Sequence, residues 1–128
     1  MESGQNSIRK KRILLVEDEL DIRELIKSVL RVAAYEVVEA KNGTDAIAMV
    51  AQHPFDLVIT DYKMPLVTGS ELAVRIRQLV PSLPILMITG DHTAVPNAVD
   101  AVLWKPFSVE NFRTVVARLT QTTDTTAS

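Results

Sequence analysis

Five side chains that can do chemistry stand at the ends of short apolar stretches: Glu17, Asp18, Asp61, Thr89 and Lys105. Three clustered carboxylates repel one another, and they need a cation or a proton to coexist. An all-oxygen set of ligands suits Mg²⁺ or Mn²⁺, which can neutralise charge on an incoming phosphoryl group. In such a site Asp61 can be the nucleophile that becomes an aspartyl phosphate, while Lys105 and Thr89 contact the phosphoryl oxygens.

Each of these residues also has a simpler interpretation. Glu17 and Asp18 can cap the helix that follows them, and Asp61 can be a turn residue. Thr89 can be an ordinary strand end, and Lys105 can be a surface lysine. Their joint placement at four strand ends favours the chemical interpretation.

Apolar runs alternate with amphipathic segments along the chain, which predicts a βα unit repeated five times. Strands are predicted at Ile13–Val16, Tyr35–Val38, Leu57–Thr60, Ile85–Thr89 and Ala101–Trp104. Apolar strands alternating with helices are typical of a doubly wound α/β fold, whose parallel sheet is covered on both faces. Ligands of such folds bind beyond the carboxyl ends of the strands, so the five side chains are expected to meet there.

Capping residues predict where two of the helices begin. Ser70 is predicted to start the third helix, and Ser108 to cap the last one. The fourth helix, over Thr93–Asp100, is expected to be short or irregular, because Pro96 lies inside it.

Length and composition narrow the possible classes of protein. The 128 residues favour one domain, which we place at 12–120, between a leader (1–11) and a polar tail (121–128).

With a net charge of −2, we expect no nucleic-acid binding, even though Arg9–Arg12 is a short basic cluster. Cysteine is absent, and the four glycines cannot form a phosphate-binding loop. No apolar run approaches the ~20 residues of a membrane span, so we expect a cytoplasmic protein without a membrane partner.

The sequence resembles the response-regulator receiver domains of two-component signalling from about Arg12 to Leu119. The motifs that carry this resemblance are Leu15-Val16-Glu17-Asp18, Asp61-Tyr62-Lys63-Met64-Pro65 with Gly69, Thr89-Gly90 and Lys105-Pro106-Phe107. The resemblance implies a flavodoxin-like (βα)5 fold with strand order 2-1-3-4-5.

The resemblance also implies roles for individual residues. Asp61 would be phosphorylated, Asp18 would bind Mg²⁺ directly, and Glu17 would bind it through water. The backbone carbonyl of Lys63 would be a further ligand. Other roles fall to residues late in the chain: Thr89 and Lys105 would contact the phosphoryl group, and Pro106 would follow a cis peptide bond.

The resemblance names partners as well. The phosphoryl donor would be a phosphohistidine on a sensor histidine kinase, and the domain would catalyse its own phosphorylation and often its own dephosphorylation. Since the chain stops after the last helix, we expect output through protein–protein contact with an effector or through onward transfer to a histidine phosphotransferase.

Two departures from the usual receiver pattern concern the surface that changes conformation on phosphorylation in this family. An aromatic residue normally stands three positions before the lysine, where this chain has Val102. Trp104 projects to the same side of the strand and is a candidate replacement, although a partly exposed packing residue is the favoured interpretation. The stretch from Thr89 to Lys105 is also shorter than usual by more than a helical turn.

Two other interpretations remain. A phosphatase with an aspartyl nucleophile usually carries a second acid two residues after that nucleophile, where this chain has Lys63. A degenerate receiver that binds partners without phosphorylation is supported only by the divergent fourth helix.

Overall fold

Five strands and four helices make up the part of the chain that the structure describes. The computed structural model describes residues 9–94 and 96–121. The strands are β1 (Arg12–Val16), β2 (Glu36–Ala40), β3 (Leu57–Asp61), β4 (Ile85–Thr89) and β5 (Ala101–Trp104). The helices are α1 (Leu20–Val32), α2 (Gly43–Gln52), α3 (Gly69–Leu79) and α4 (Val109–Gln121).

All five strands run parallel in one sheet of order β2-β1-β3-β4-β5. This order confirms the predicted doubly wound architecture. The register pairs Val16 with Thr60, Asp61 with Ile88, and Thr89 with Trp104. Because parallel strands end on the same side, this register brings the residues that follow β1, β3, β4 and β5 to one edge.

The core lies in two layers, one on each face of the sheet. Side chains alternate between the faces along β1, so Ile13 and Leu15 join one layer while Leu14 and Val16 join the other. The first layer packs against buried residues of α1 and α4, and the second against buried residues of α2 and α3. Covered on both sides, β3 and β4 are buried along their whole length.

Side-chain caps fix where three of the helices begin. The Asn42 side chain accepts a hydrogen bond from the backbone of Asp45 at the start of α2. Ser108 Oγ accepts from the backbone N–H of Asn111 at 3.0 Å, which confirms the predicted cap of the last helix. The predicted start of the third helix at Ser70 is wrong. Thr68 caps α3 in a reciprocal pair with Glu71, so the helix begins at Gly69.

The fourth βα unit, whose helix was expected to be short or irregular, departs from the regular pattern. The chain passes from β4 to β5 with no helix in the described residues 90–94 and 96–100. Pro96 has no backbone N–H to donate, and Ala98 adopts a φ of 64°, which a right-handed helix excludes. The Asp91 side chain accepts from the backbone N–H of Thr93 at 2.9 Å and favours a turn instead.

The predicted domain limits can be compared with the described residues only in part. Helix α4 includes Gln121, one residue beyond the predicted end of the domain. Residues 1–8 of the predicted leader and 122–128 of the predicted tail lie outside the described residues.

Arg77, near the end of α3, fastens the helix-free segment to the rest of the fold. Its Nη1 donates to the carbonyls of Pro81 and Leu83 at 3.0 and 2.9 Å. Its Nη2 donates to the carbonyl of Ala98 at 2.8 Å and to Asp100 Oδ2 at 2.7 Å. One guanidinium therefore connects α3, the approach to β4 and the approach to β5.

We expect Arg77→Ala to lower the free energy of unfolding by about 2 kcal/mol, because hydrogen bonds from a charged donor are lost and carbonyl acceptors lose their partner. Urea denaturation followed by circular dichroism measures the change. The exposed Arg75 on the same helix provides the matched control, and Arg75→Ala should change stability by less than about 0.5 kcal/mol. Equal losses in the two variants would contradict a clamping role for Arg77.

Candidate functional site

A cleft of about 650 Å³ opens at the carboxyl edge of the sheet. Its walls come from the segments that follow β1, β3, β4 and β5, and its lining includes Asp18, Glu19, Asp61, Thr89 and Lys105. These residues are spread over nearly the whole sequence, and the parallel strand order brings them together. The predicted convergence at this edge is what the structure shows.

Asp61 is the last residue of β3 and lies at the bottom of the cleft, with only 6% of its surface exposed. Its Oδ1 accepts a hydrogen bond from the backbone N–H of Tyr62 at 2.7 Å. Its Oδ2 accepts one from Lys105 Nζ at 3.3 Å. The carboxylate is therefore held in a fixed orientation beside a cation.

Gly69 supports the segment that carries Asp61. Its N–H donates to the carbonyl of Tyr62 at 2.7 Å. A Cβ at this position would lie 2.2 Å from the backbone oxygen of Asp61, so no side chain fits without moving that backbone. The residues after β3 also turn tightly, since the N–H of Val67 bonds the carbonyl of Pro65 across Leu66, whose φ is 75°.

Lys105 places its ammonium within 4 Å of three carboxylates in the cleft. Its Nζ lies 2.8 Å from Glu19 Oε1, 3.3 Å from Asp61 Oδ2 and 3.9 Å from Glu17 Oε1. Burial by itself would lower the pKa of Lys105, but the hydrogen bond to Glu19 and the charges of Glu17 and Asp61 outweigh it, and the pKa is raised. The lysine is therefore charged at neutral pH.

Glu17 follows β1 directly and is 3% exposed. Burial raises its pKa from 4.5 to about 7, and the charge of Asp61 adds to the rise. A hydrogen bond from the backbone N–H of Glu19 and the charge of Lys105 partly offset these effects. Glu17 is therefore a carboxylate whose charge the fold compensates only in part.

The described residues hold one cluster of carboxylates suited to a metal ion: Glu17, Glu19 and Asp61, whose ligand oxygens lie within 4.8 Å of one another. An all-oxygen donor set is the kind that Mg²⁺ and Mn²⁺ prefer. A divalent cation would also compensate the charge of Glu17, whose pKa is raised mainly by burial, so the residues present fit such an ion. Asp18 and Lys63, both predicted ligands, are exposed and line the same cleft.

Sequence reasoning missed Glu19. Its proximity to Glu17 and Asp18 was the available signal, but its position did not follow from the strand pattern. Glu19 is the N-cap residue of α1 and makes no side-chain capping bond, so its carboxylate is free to reach Lys105.

Thr89 ends β4 and is 1% exposed. Its Oγ1 accepts from the backbone N–H of Asp91 at 3.0 Å, and its carbonyl accepts from the backbone N–H of Lys105 at 2.8 Å. Hydrogen bonds from Thr93 lower the pKa of Asp91 below its usual value. The threonine hydroxyl is thus connected to the start of the helix-free segment.

Trp104, on the edge strand β5, is 43% exposed and stacks on His92 with ring centroids 5.9 Å apart and planes 12° from parallel. Val102, two residues earlier on the same strand, is half-buried. Sequence reasoning did not find this contact. The peptide bond from Lys105 to Pro106 is cis.

Comparison with known proteins identifies the family. The model of the family described as "Response regulator receiver domain" matches residues 13–117, most of the chain. The chain belongs to this receiver domain family. The fold and the cleft at the carboxyl edge agree with that assignment.

Relatives of this receiver domain include both short and long proteins. It is 39% identical over 107 residues to the response regulator receiver protein CpdR of Brucella abortus, covering 79% of this chain and 89% of that protein. It is 38% identical over 117 residues to the phosphate regulon transcriptional regulatory protein PhoB of Pseudomonas aeruginosa, covering 85% of this chain but only 50% of that protein.

A solved structure of the same family is the response regulator protein TrrA of Thermotoga maritima in complex with Mg²⁺-BeF. The two chains superpose with a TM-score of 0.79 at 34% identity, over 85% of this chain and 98% of that one. None of the described helices is both long enough and apolar enough to span a membrane.

We expect Glu17→Gln to stabilise the metal-free fold at pH 8, because it removes a charge that the fold disfavours. A Glu pKa raised in the folded state destabilises the wild type increasingly as the pH rises from 4.5 to about 7. The gain should be roughly 1–2 kcal/mol at pH 8, less than ~1.4 kcal/mol per unit of pKa shift because solvent screens the cleft. Near pH 4.5 the gain should be much smaller.

Thermal unfolding in a metal chelator at both pH values measures this difference. The control is Glu24→Gln, which removes an exposed carboxylate that pairs with Lys27 on the outside of α1. This control should show no gain that grows with pH. A loss of stability in Glu17→Gln at pH 8 would show that the carboxylate is favourably held in the cleft.

Proposed function

We propose that this domain accepts a phosphoryl group from a phosphohistidine of a sensor histidine kinase onto Asp61, with Mg²⁺ as cofactor. The observation that carries the proposal is the position of Asp61, a buried carboxylate at the bottom of an acidic cleft, with Lys105 Nζ 3.3 Å away. Phosphoryl transfer depends mainly on positioning and on stabilising charge, and these residues supply both.

The Asp61 carboxylate is the nucleophile. A phosphorus–oxygen bond to Asp61 forms as the phosphorus–nitrogen bond of the donor breaks, and the bonding electrons return to the donor's imidazole ring. The Tyr62 backbone N–H, bound to Asp61 Oδ1, keeps the carboxylate oriented toward the cleft. Lys105 then pairs with one phosphoryl oxygen, and the Thr89 hydroxyl donates to another.

Mg²⁺ would neutralise charge on the phosphoryl oxygens. We assign its binding to Asp18, Glu17, Asp61 and the backbone carbonyl of Lys63, with Mg²⁺ bound before the phosphoryl group. The acidic cluster supports this order, since a metal that lowers the negative potential of the cleft makes the approach of an anionic donor easier. The same residues position water for hydrolysis of the aspartyl phosphate, so the domain limits the lifetime of its own signal.

We infer that output passes through the surface formed by the Thr89 loop, Val102 and Trp104. A hydrogen bond joins Thr89 Oγ1 to the backbone of Asp91, and the next residue, His92, stacks on Trp104. A shift of the Thr89 hydroxyl toward a phosphoryl group therefore reaches an exposed tryptophan through two contacts. A partner protein, either an effector or a histidine phosphotransferase, would read this surface.

A second candidate function is a receiver that binds partners without phosphorylation. The helix-free segment between β4 and β5 is the observation that favours it, because this segment departs from the regular βα pattern on the inferred output surface.

We expect incubation with acetyl phosphate and Mg²⁺ to add one phosphoryl group, detected by intact mass spectrometry. Asp61→Asn should gain none, because an amide is not a nucleophile of this kind, and chelation of the metal should abolish the gain in the wild type. Asp21→Asn, at an exposed carboxylate in the first turn of α1, is the matched control and should behave like the wild type.

The same assay tests the metal ligands. Asp18→Asn should raise the Mg²⁺ concentration for half-maximal incorporation about tenfold, because a charged ligand is lost. An unchanged concentration would remove Asp18 from the proposed metal site. No incorporation in the wild type under any condition would favour the binding module.

We expect the fluorescence of Trp104, the only tryptophan, to change when acetyl phosphate and Mg²⁺ are added together. The stack on His92 should loosen as Thr89 moves, which alters the surroundings of the indole. Asp61→Asn should show no change, and His92→Leu should reduce the amplitude. Constant emission in a wild type that mass spectrometry shows to be phosphorylated would argue against this output surface.

A further inference from the structure

The partner nearest to the Lys105 ammonium is Glu19. The Nζ–Oε1 distance is 2.8 Å, against 3.3 Å to Asp61 Oδ2. The Glu19 side chain is 62% exposed, so it lies at the rim of the cleft, whereas Asp61 lies at the bottom. Lys105 is therefore drawn toward the rim as well as toward the residue that is to be phosphorylated.

The position of the Glu19 backbone determines from where its carboxylate attracts the Lys105 ammonium. The N–H of Glu19 donates to Glu17 Oε2 at 3.1 Å, and Glu19 is the residue immediately before α1. The side chain thus starts from a point tied to the buried carboxylate and extends over the cleft to Lys105. This attachment makes the ion pair part of the site and distinguishes it from a chance contact between two surface side chains.

A phosphoryl group on Asp61 would compete for the same ammonium. Lys105 has three N–H donors, and two already point to Glu19 and Asp61. We propose that Glu19 is a positioning residue, which restrains Lys105 toward the rim in the resting state and competes with the phosphoryl group for its ammonium. This inference rests on the proposed function and adds a determinant of how readily the phosphorylated state forms.

The exposure of Glu19 sets the size of the effect. Ion pairs with one well-solvated partner contribute little net free energy, so the restraint is easily exchanged for a contact with a phosphoryl oxygen. Removing the Glu19 carboxylate should therefore favour the phosphoryl-bound state by about two- to fivefold. The same change should weaken Mg²⁺ binding, because Glu19 belongs to the acidic cluster, and the two effects must be separated by saturating the metal.

The test measures the affinity for fluoroberyllate, a stable mimic of a phosphoryl group, at saturating Mg²⁺ by calorimetry. Glu19→Gln should bind the mimic about two- to fivefold more tightly than the wild type. Glu24→Gln removes the same charge from an exposed position that pairs with Lys27, and it should match the wild type. Unchanged or weaker binding by Glu19→Gln would overturn the proposal.

A second measurement separates restraint from charge. The NMR signal of the ¹⁵N-labelled Lys105 ammonium should differ between the ligand-free wild type and ligand-free Glu19→Gln. The reason is that an ammonium released from Glu19 exchanges its protons with water faster. The signals of the two mimic-bound proteins should coincide. Tighter binding with an unchanged ligand-free signal would mean that Glu19 acts by charge alone, and the positioning role would be overturned.

Failure of this inference can be told apart from failure of the proposed function. A wild type that binds the mimic with Mg²⁺ supports the phosphoacceptor role, whatever the Glu19 variants do. A wild type that binds no mimic at saturating Mg²⁺ would overturn both.

Discussion

Three carboxylates share one ammonium at the carboxyl edge of the sheet, and this imbalance of charge governs the behaviour of the site. Glu17, Glu19 and Asp61 all lie within 4 Å of Lys105 Nζ. Burial of Glu17 and the nearby charge of Asp61 together raise the pKa of Glu17 to about 7, because Lys105 only partly offsets them. The fold keeps this unfavourable arrangement because the core on both faces of the sheet supplies the stability. Such a cluster of carboxylates fits a divalent cation.

The backbone holds this charge in place with little freedom. One carboxylate oxygen of Asp61 accepts from the Tyr62 N–H, and the other accepts from Lys105. Gly69 has no Cβ, so the loop after β3 can pack closely against the backbone of Asp61. A carboxylate held this way has little orientational freedom left to lose, which suits the phosphoryl transfer proposed for Asp61. The carboxylate that is held most firmly, Asp61, is therefore also one whose negative charge lies close to other negative charges.

Apolar strands and parallel topology predicted the sheet and the meeting of Glu17, Asp61, Thr89 and Lys105, whereas the strand order was implied by the resemblance to receiver domains. It did not predict the start of α3, since Thr68 and Ser70 are both good caps and only the pairing with Glu71 distinguishes them. It also missed Glu19 and the stack of His92 on Trp104. Both are contacts between side chains distant in sequence, which no local periodicity encodes.

The segment between β4 and β5 is held at its two ends by different means. Arg77 fixes the far end through Ala98 and Asp100, using a guanidinium with four hydrogen bonds. The near end is held by the Thr89–Asp91 hydrogen bond, by the turn in which Asp91 accepts from the Thr93 N–H, and by the exposed aromatic stack. Because these contacts are local and partly exposed, we expect the near end to be the part of the segment that shifts most easily with a small change at Thr89. In the proposed output surface such a shift would reach the stacked rings of His92 and Trp104 directly, since the described residues 90–94 and 96–100 contain no helix between Thr89 and these rings.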